Sequence, residues 1–294
     1  MLGSPGNFAG DHLRPLRPKK QIQQTISPRF PQGAPLTTTQ PPLGVWAESL
    51  DVQSVAQQWA ARLRLPCIAS AEGMSHLLVV TAERLELRAL TDPTGGGPVF
   101  AEFSGGAAEN WERGQPLAKA VGVKGGVTPS ILDATAGLGG DAWILARLGC
   151  AVTLIERSPI IAALLEDALQ RAQRDDEAAP LATRMRLLAG DARELMAQWS
   201  DEPPDVITLD PMFPEKKKGA LPNKEMRRLK QLVGDDADAA ETLAGALQLA
   251  GKRVVVKRPL KAPPLDGPKP GHAISGRSTR FDVYHVANSK QVNS

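Results

Sequence analysis

The segment 131–141 reads Ile-Leu-Asp-Ala-Thr-Ala-Gly-Leu-Gly-Gly-Asp, a short apolar run that ends in Asp133 and continues into a glycine-dense turn. A helical pattern then begins at Asp141. A strand, a glycine loop and a helix in this order are typical of the first βα unit of a nucleotide-binding domain. Glycine residues allow the backbone to turn sharply beside a ligand, and the start of the helix offers free N–H groups.

Strand-like and helix-like patterns alternate after this segment, and the alternation predicts an α/β fold with a parallel, doubly wound sheet of the Rossmann-like type. A last alternating run, 281–286, predicts a closing hairpin against the sheet. The expected strands are 150–155, 185–189, 206–209 and 253–256, and the expected helices are 142–148, 160–174, 193–199, a segment around 225–229, and 237–250.

Composition divides the chain into four parts. Residues 1–42 are rich in Pro, Gly, Gln and Thr without periodicity, which is typical of a disordered arm. Residues 43–104 predict a small N-terminal α+β subdomain, 105–126 a connector, and 127–294 the α/β domain. Within the subdomain the patterns predict one helix at 54–63 and strands at 77–81, 85–88 and 99–103.

The overall composition is that of an ordinary globular protein, with 294 residues, 42% hydrophobic and 23% charged. Cys67 and Cys150 both lie in apolar runs, which indicates reduced core thiols and a cytoplasmic protein. No apolar run is long enough to span a bilayer, and the first thirty residues lack a signal-peptide core. The formal net charge of +3 indicates no partner by its size alone.

Four predicted strands end in acidic or glycine residues, and ligands of open α/β sheets bind at those carboxyl ends. A single glycine loop is also consistent with a tight turn that binds nothing. Four such strand ends in succession favour a ligand site instead. They are Asp133 with the loop glycines Gly137 and Gly140, then Glu156 with Arg157, then Asp191 with Ala192, and finally Asp210 with Pro211.

The ligand is predicted from the charge at the glycine loop. Asp141 places a carboxylate where a dinucleotide site would hold a phosphate, so the loop suits an ammonium group or hydroxyls instead. S-adenosylmethionine (SAM) has that character, because it joins an amino acid and a sulfonium to a ribose diol. Glu156 is then expected to accept from the ribose hydroxyls. Asp191 is expected either to face the adenine amine or to cap the following helix, or both.

The sequence Asp210-Pro-Met-Phe213 after the fourth strand indicates methyl transfer to an exocyclic amine of a nucleobase. The lone pair of such a nitrogen is delocalised into the ring, so the amine must be held in a reactive orientation. Asp210 and the carbonyl of Pro211 can accept its two N–H groups, and Phe213 can stack on the base. The alternative is a turn that leaves the sheet, with Phe213 in the core.

Basic residues follow this motif closely, since 215–230 contains seven basic and two acidic residues. Charge runs are usually solvated faces, but here they predict a rim that contacts a nucleic-acid backbone. The histidines show no metal spacing, so we expect no metal. The predicted RNA contacts are Lys216, Lys217, Lys218, Arg227, Lys257, Arg258 and Arg280.

These motifs together closely resemble the small-subunit ribosomal RNA methyltransferase J family, over about residues 50–286. The resemblance rests on the segments 133–141, 155–157, 209–214, 224–227, 232–234, 252–259 and 280–282. It implies a class I methyltransferase domain that methylates a guanine N2 in 16S rRNA with SAM as the donor. It also implies cofactor contacts at Gly140-Asp141, Glu156-Arg157, Asp191-Ala192 and Asp210.

Two other functions remain open at this stage. The motif at Asp210 also serves adenine-N6 or other amino-methylating enzymes of nucleic acids, although Met212 replaces the second proline of the usual adenine-type pattern. A non-catalytic RNA-binding factor for ribosome assembly could use the same scaffold. The sequence leaves open the oligomeric state and whether naked rRNA or an assembled subunit is the substrate.

Overall fold

The computed structural model describes residues 42–90, 97–103, 115–211 and 238–286. The predicted arm 1–42, except its last residue, and the predicted helix around 225–229 lie outside these residues. In chain order the elements are β1 Leu43–Ala47, α1 Gln53–Leu63, β2 His76–Val80, β3 Leu85–Ala89, α2 Pro116–Val121, β4 Ile131–Asp133, α3 Gly140–Arg147, β5 Val152–Glu156, α4 Pro159–Ala172, α5 Ala179–Ala182, β6 Met185–Ala189, α6 Ala192–Ala197, β7 Val206–Leu209, α7 Ala239–Leu249, β8 Arg253–Pro259, β9 His272–Ser275 and β10 Thr279–His285.

The larger sheet has seven strands in the order β6-β5-β4-β7-β8-β10-β9. Strands β6, β5, β4, β7 and β8 are parallel, and β10 runs antiparallel between β8 and β9. Helices cover both faces, since separate apolar clusters lie on the two sides of the central strands. The prediction of a Rossmann-like, doubly wound sheet with a closing hairpin is confirmed. The chain order reverses beside β4, where ligands of such sheets bind.

Local sequence signals mark the first residues of α3 and α4, the helices that follow β4 and β5. Ser158 caps α4 by accepting the N–H of Ile161, and Pro159 occupies the first helical position, as the sequence predicts. Helix α3 begins straight after Gly139, whose φ of 76° is in the left-handed region. Among the residues that the structure describes, no helix has the length and apolarity that a membrane span requires.

The small N-terminal sheet differs from the sequence prediction at both of its edges. Strand β1 was not predicted and pairs parallel to β2, whereas β3 pairs antiparallel to β2. The expected strand 99–103 forms a single bridge between Leu87 and Val99 instead. Val99, Ala101 and Phe103 are nevertheless buried, so their alternation reflects packing rather than strand pairing.

The expected connector 105–126 contains helix α2, which was also missed. Pro116 opens the helix and Gly122 ends it with a left-handed φ of 84°, so both ends resemble loop residues in the sequence. Its six residues are too few for a helical period to be recognised. The rest of the connector that precedes Gln115, residues 105–114, lies outside the described residues.

The small sheet and the large sheet share one apolar core. Phe103 stacks on Trp143 of α3 with ring centroids 5.1 Å apart. Arg62 of α1 forms an ion pair with Glu166 of α4, which is only 2% exposed. A buried carboxylate without its partner is costly, so this pair fixes the orientation of α1 against α4. The small sheet therefore supports the glycine loop from behind.

We predict that Gly139→Ala destabilises the protein by about 2–5 kcal/mol, because it adds left-handed strain to overpacking. A Cβ at residue 139 would lie 2.7 Å from Cζ of Phe103 and 2.9 Å from Cδ2 of Leu165. Denaturant unfolding measures the change. The matched control is Gly137→Ala, where φ is also positive but no atom lies within 4 Å of the added carbon. Equal losses in the two variants would contradict this account.

Candidate active site

A cavity of about 270 Å³ lies at the carboxyl edge of the large sheet. It is near the lower end of the size range of small-molecule sites. All four of the strand ends that the sequence singles out contribute to its wall. Of the predicted site residues, the structure brings to it Asp133, Gly137, Gly140, Asp141, Glu156, Arg157, Asp191, Ala192, Asp210 and Pro211.

Glu156 at the end of β5 accepts hydrogen bonds from two backbone N–H groups. Its carboxylate accepts the N–H of Gly137 at 2.9 Å and the N–H of Ser158 at 2.7 Å, and the residue is 6% exposed. These bonds join the glycine loop to the start of α4. A carboxylate has about four acceptor positions, so ribose hydroxyls could still donate to it.

Asp133 at the end of β4 is buried beside other carboxylates. Burial and, to a smaller extent, the negative charge of Asp141 raise the pKa of Asp133 to about 7, against a lowering by the Thr135 N–H. Desolvation favours the neutral form of a carboxyl group, and a nearby cation would favour the charged form. Near neutral pH this residue therefore responds strongly to any positive charge that enters the cavity.

Lys257 lines the wall of the cavity rather than an outer rim. Its Nζ is 2.8 Å from Oδ2 of Asp141 and 3.0 Å from Oδ2 of Asp210. Burial lowers the pKa of Lys257, but Asp210 and Asp141 outweigh burial and raise it above the ordinary value. The lysine is therefore a permanent cation between the glycine-loop helix and the end of β7.

Asp210 stands at the mouth of the cavity. Its backbone N–H donates to Oγ1 of Thr135 in the glycine loop at 2.6 Å, and its side chain is 46% exposed. The loop and the end of β7 are thus bonded directly to each other. An exposed carboxylate next to the cavity can meet a large substrate that stays outside, as the predicted role of Asp210 requires.

Asp191 at the end of β6 is engaged by Arg193. Its Oδ1 accepts the backbone N–H of Arg193 at 2.8 Å, so Asp191 caps α6. Its Oδ2 pairs with the guanidinium of Arg193, also at 2.8 Å. The capping part of its predicted role is therefore present. Arg193 also pairs with Asp238 ahead of α7, and Asp238 pairs with Arg157 beside Glu156. This chain of ion pairs forms the wall at the β5 and β6 side of the cavity.

The predicted RNA contacts separate into three groups. Lys216, Lys217, Lys218 and Arg227, together with the predicted stacking residue Phe213, lie outside the described residues. Lys257 is inside the cavity. Arg258 is 4% exposed and donates to the carbonyl of Pro263, and Arg280 pairs with Asp282 at 2.7 Å and donates to the carbonyls of Leu260 and Ala262.

Contact of Arg258 and Arg280 with RNA stays a prediction. The Arg258 guanidinium donates to a backbone carbonyl, and the Arg280 guanidinium donates to backbone carbonyls and pairs with Asp282, so both hold the loop after β8. In the run Arg253-Val-Val-Val-Lys257, alternation places Lys257 on the same face as Val255, but it does not tell which face meets the cavity. Asp238, Arg193 and Thr208, which also shape the site, carry no comparable local pattern.

The residues of the cavity fit SAM. Six acidic residues line the space that a sulfonium and an ammonium would enter, and Asp141 and Glu156 suit the ammonium and the ribose diol. The Oγ1 atom of Thr208 is buried on the cavity wall, and within the described part of the chain it has no hydrogen-bond partner. A bound ligand could satisfy it.

Comparison with known proteins agrees with the fold and the site. A family model described as "SAM-dependent methyltransferase" matches residues 58–286. A crystal structure of a SAM-dependent methyltransferase from Neisseria gonorrhoeae gives a TM-score of 0.64 at 30% identity, and the match covers 84% of this chain and 98% of that one. The chain is a class I methyltransferase that uses SAM.

Its relatives place it more narrowly. The ribosomal RNA small subunit methyltransferase J of Pseudomonas aeruginosa (strain UCBPP-PA14) is 51% identical over 252 residues, which cover 84% of this chain and 96% of the relative. The protein of the same name from Ectopseudomonas mendocina is 54% identical over 234 residues, or 78% and 88% of the two chains. This chain belongs to the ribosomal RNA small subunit methyltransferase J family, and both the resemblance and the cofactor that it implies are confirmed.

We predict that Asp133→Asn stabilises the free protein at pH 8 by up to about 4 kcal/mol, given a pKa near 7 in the folded state and 3.8 otherwise. A raised carboxyl pKa costs no stability below pH 4, and the cost grows until about pH 7. The difference in melting temperature between variant and wild type should grow over that range. The variant should also bind SAM more weakly in calorimetry. A difference that is constant with pH would contradict the assignment.

Proposed function

We propose that this protein transfers the methyl group of SAM to the exocyclic N2 amine of a guanine in 16S rRNA, in the cytoplasm. The observation that carries the proposal is the position of Asp210. Its exposed carboxylate lies at the mouth of a cavity whose deeper wall is built for SAM, and its N–H is bonded to the glycine loop. The names of the relatives, which are small-subunit ribosomal RNA methyltransferases, support this substrate.

SAM, when bound, supplies an electrophilic methyl group on a positively charged sulfur. The chain must then present an amine that is a weak nucleophile. Asp210 accepts one N–H of the amine and the carbonyl of Pro211 the other, which directs the lone pair toward the methyl group. Such alignment, with acceptors that are already in place, can contribute several kcal/mol to catalysis, up to roughly 7–11 kcal/mol.

The proton balance needs no strong base. The nitrogen becomes positively charged as the new N–C bond forms and the S–C bond breaks, so it then loses a proton readily. The carboxylate of Asp210 or solvent at the cavity mouth receives this proton. Nζ of Lys257 lies 3.0 Å from Oδ2 of Asp210, where its positive charge offsets the negative charge of that carboxylate.

We propose that RNA also contacts basic residues that follow the Asp210 motif. The basic residues Lys216, Lys217, Lys218 and Arg227 directly follow the Asp210 motif in the sequence, and they are proposed to contact the phosphate backbone. Salt should then weaken binding of the rRNA strongly while leaving binding of SAM nearly unchanged.

We predict that Asp210→Ala lowers the turnover number by roughly 100- to 1,000-fold, as does loss of one preorganised polar group in other active sites. The assay uses labelled SAM with small subunits from a strain that lacks the enzyme. Circular dichroism should show an intact fold. Asp205→Ala, which removes a carboxylate from the other end of β7, serves as the control and should retain activity.

The position of the methyl group tests the substrate. Digestion of the methylated rRNA should yield one additional N2-methylguanosine, and parallel assays on free rRNA and on assembled subunits determine which of the two is used. N6-methyladenosine as the product would support an adenine-specific enzyme instead. Binding of SAM without any transfer to rRNA would favour a non-catalytic assembly factor.

A further inference from the structure

Lys257 lies on the side of the cavity away from the predicted ribose and adenine contacts. Glu156 and Asp191 end β5 and β6, whereas Lys257 projects from β8, on the far side of β7 and Asp210. Any group that Asp210 holds at the mouth of the cavity therefore has Lys257 beside it. The lysine is therefore on the acceptor side of the cavity, where the base that receives the methyl group would bind, and not on the donor side, where SAM would bind.

The ammonium group of Lys257 has one N–H to give to a ligand. An ammonium has three donors, and the carboxylates of Asp141 and Asp210 take two of them in the described part of the chain. The side chain lines the cavity and is 27% exposed, so a ligand can reach it. Asp210 and Lys257 together present an acceptor and a donor 3.0 Å apart.

The wall beside this pair is apolar. Phe281 of β10 lies opposite Lys257 in the antiparallel register of β8 and β10, so the two side chains are on the same face of the sheet. Phe281 lines the cavity and is 6% exposed. A flat aromatic base could rest near this surface while its polar edge meets Asp210 and Lys257.

We propose that Lys257 recognises the base: it donates to the ring nitrogen next to the methylated amine, N3 of guanine, while Asp210 accepts from the amine. This inference rests on the function proposed above and adds the edge of the base that is read. In guanine the amine and N3 are bonded to the same carbon, so an adjacent acceptor and donor on the protein can bind both.

The opposite orientation of guanine is unfavourable. The ring atom on the other side of the amine is N1, which carries a hydrogen and would point a donor at the ammonium. A cation in this position therefore selects the N3 side of the base, and with it the edge nearest the ribose.

The test compares Lys257→Met and Lys257→Arg with the wild type on two substrates. One is small-subunit rRNA with guanine at the mapped methylation position, and the other has 3-deazaguanine there, which replaces N3 by a C–H group and keeps the amine. The matched control is Lys252→Met. It removes the ion pair between Lys252 and Asp205, which is 2.9 Å long and lies at the amino ends of β8 and β7. Calorimetry measures the affinity of each protein for SAM.

We expect kcat/KM of the wild type to fall roughly 10- to 100-fold on the deaza substrate, the size of one good base contact. Lys257→Met should fall by a similar factor on guanine and show no further loss on 3-deazaguanine, since both changes remove the same hydrogen bond. Lys257→Arg should recover part of the activity, and Lys252→Met should match the wild type. Affinity for SAM should not fall by more than about threefold in the variants.

Three results would overturn the inference. One is a further fall in kcat/KM when Lys257→Met acts on 3-deazaguanine, so that the effects of the substitution and of the deaza base multiply. A second is wild-type kcat/KM in Lys257→Met. A third is weaker SAM binding with an unchanged maximal rate, which would place the lysine on the carboxylate of the donor. If Lys257→Met does not fold, the test rests on the ratio of kcat/KM for guanine to kcat/KM for 3-deazaguanine, measured with the wild type and with Lys257→Arg. No transfer to guanine by the wild type would instead refute the proposed function.

Discussion

Three carboxylates surround one ammonium group at the carboxyl edge of the large sheet. Asp133, Asp141 and Asp210 come from the end of β4, the start of α3 and the end of β7, and Lys257 pairs with the last two. Parallel strands bring their carboxyl ends to one edge, so a site for a cationic cofactor gathers acidic groups that repel one another. Lys257 offsets this repulsion in the absence of SAM, while Asp133 reduces it by taking up a proton near neutral pH.

The glycine loop reaches its position through contacts on two sides. On the cavity side, Glu156 accepts the N–H of Gly137 and Thr135 accepts the N–H of Asp210, so the three central strand ends are bonded to one another. On the other side, Phe103 of the N-terminal segment packs against the loop at Gly139 and stacks on Trp143. The small sheet thus belongs to the same core as the methyltransferase sheet, and its packing bears directly on the geometry of the cofactor site.

The donor side and the acceptor side of the cavity differ in how firmly their polar groups are held. Glu156 has its acceptor positions filled in part by backbone N–H groups, and the pKa of Asp191 is lowered by its hydrogen bonds with Arg193, so both carboxylates are fixed before SAM arrives. On the acceptor side Asp210 is 46% exposed, and the wall consists of the side chains of Asp210, Lys257 and Phe281 with the carbonyl of Pro211. A rigid donor site next to an open acceptor site suits an enzyme that takes a small cofactor and a very large substrate.

The amino-acid sequence by itself determined the sheet, the glycine loop and the four strand ends, because each of these follows from local patterns and from the rule that parallel strands end at one edge. It did not determine which charges meet. Lys257 and Asp141 are 116 residues apart, and an alternating strand pattern does not tell whether a lysine faces solvent or a cavity. The burial of Arg258 and the pairing of Arg157 with Asp238, 81 residues apart, likewise depend on distances through space. Only the tertiary structure shows that Lys257, expected at the RNA rim, pairs with Asp141 and Asp210 in the wall of the cavity.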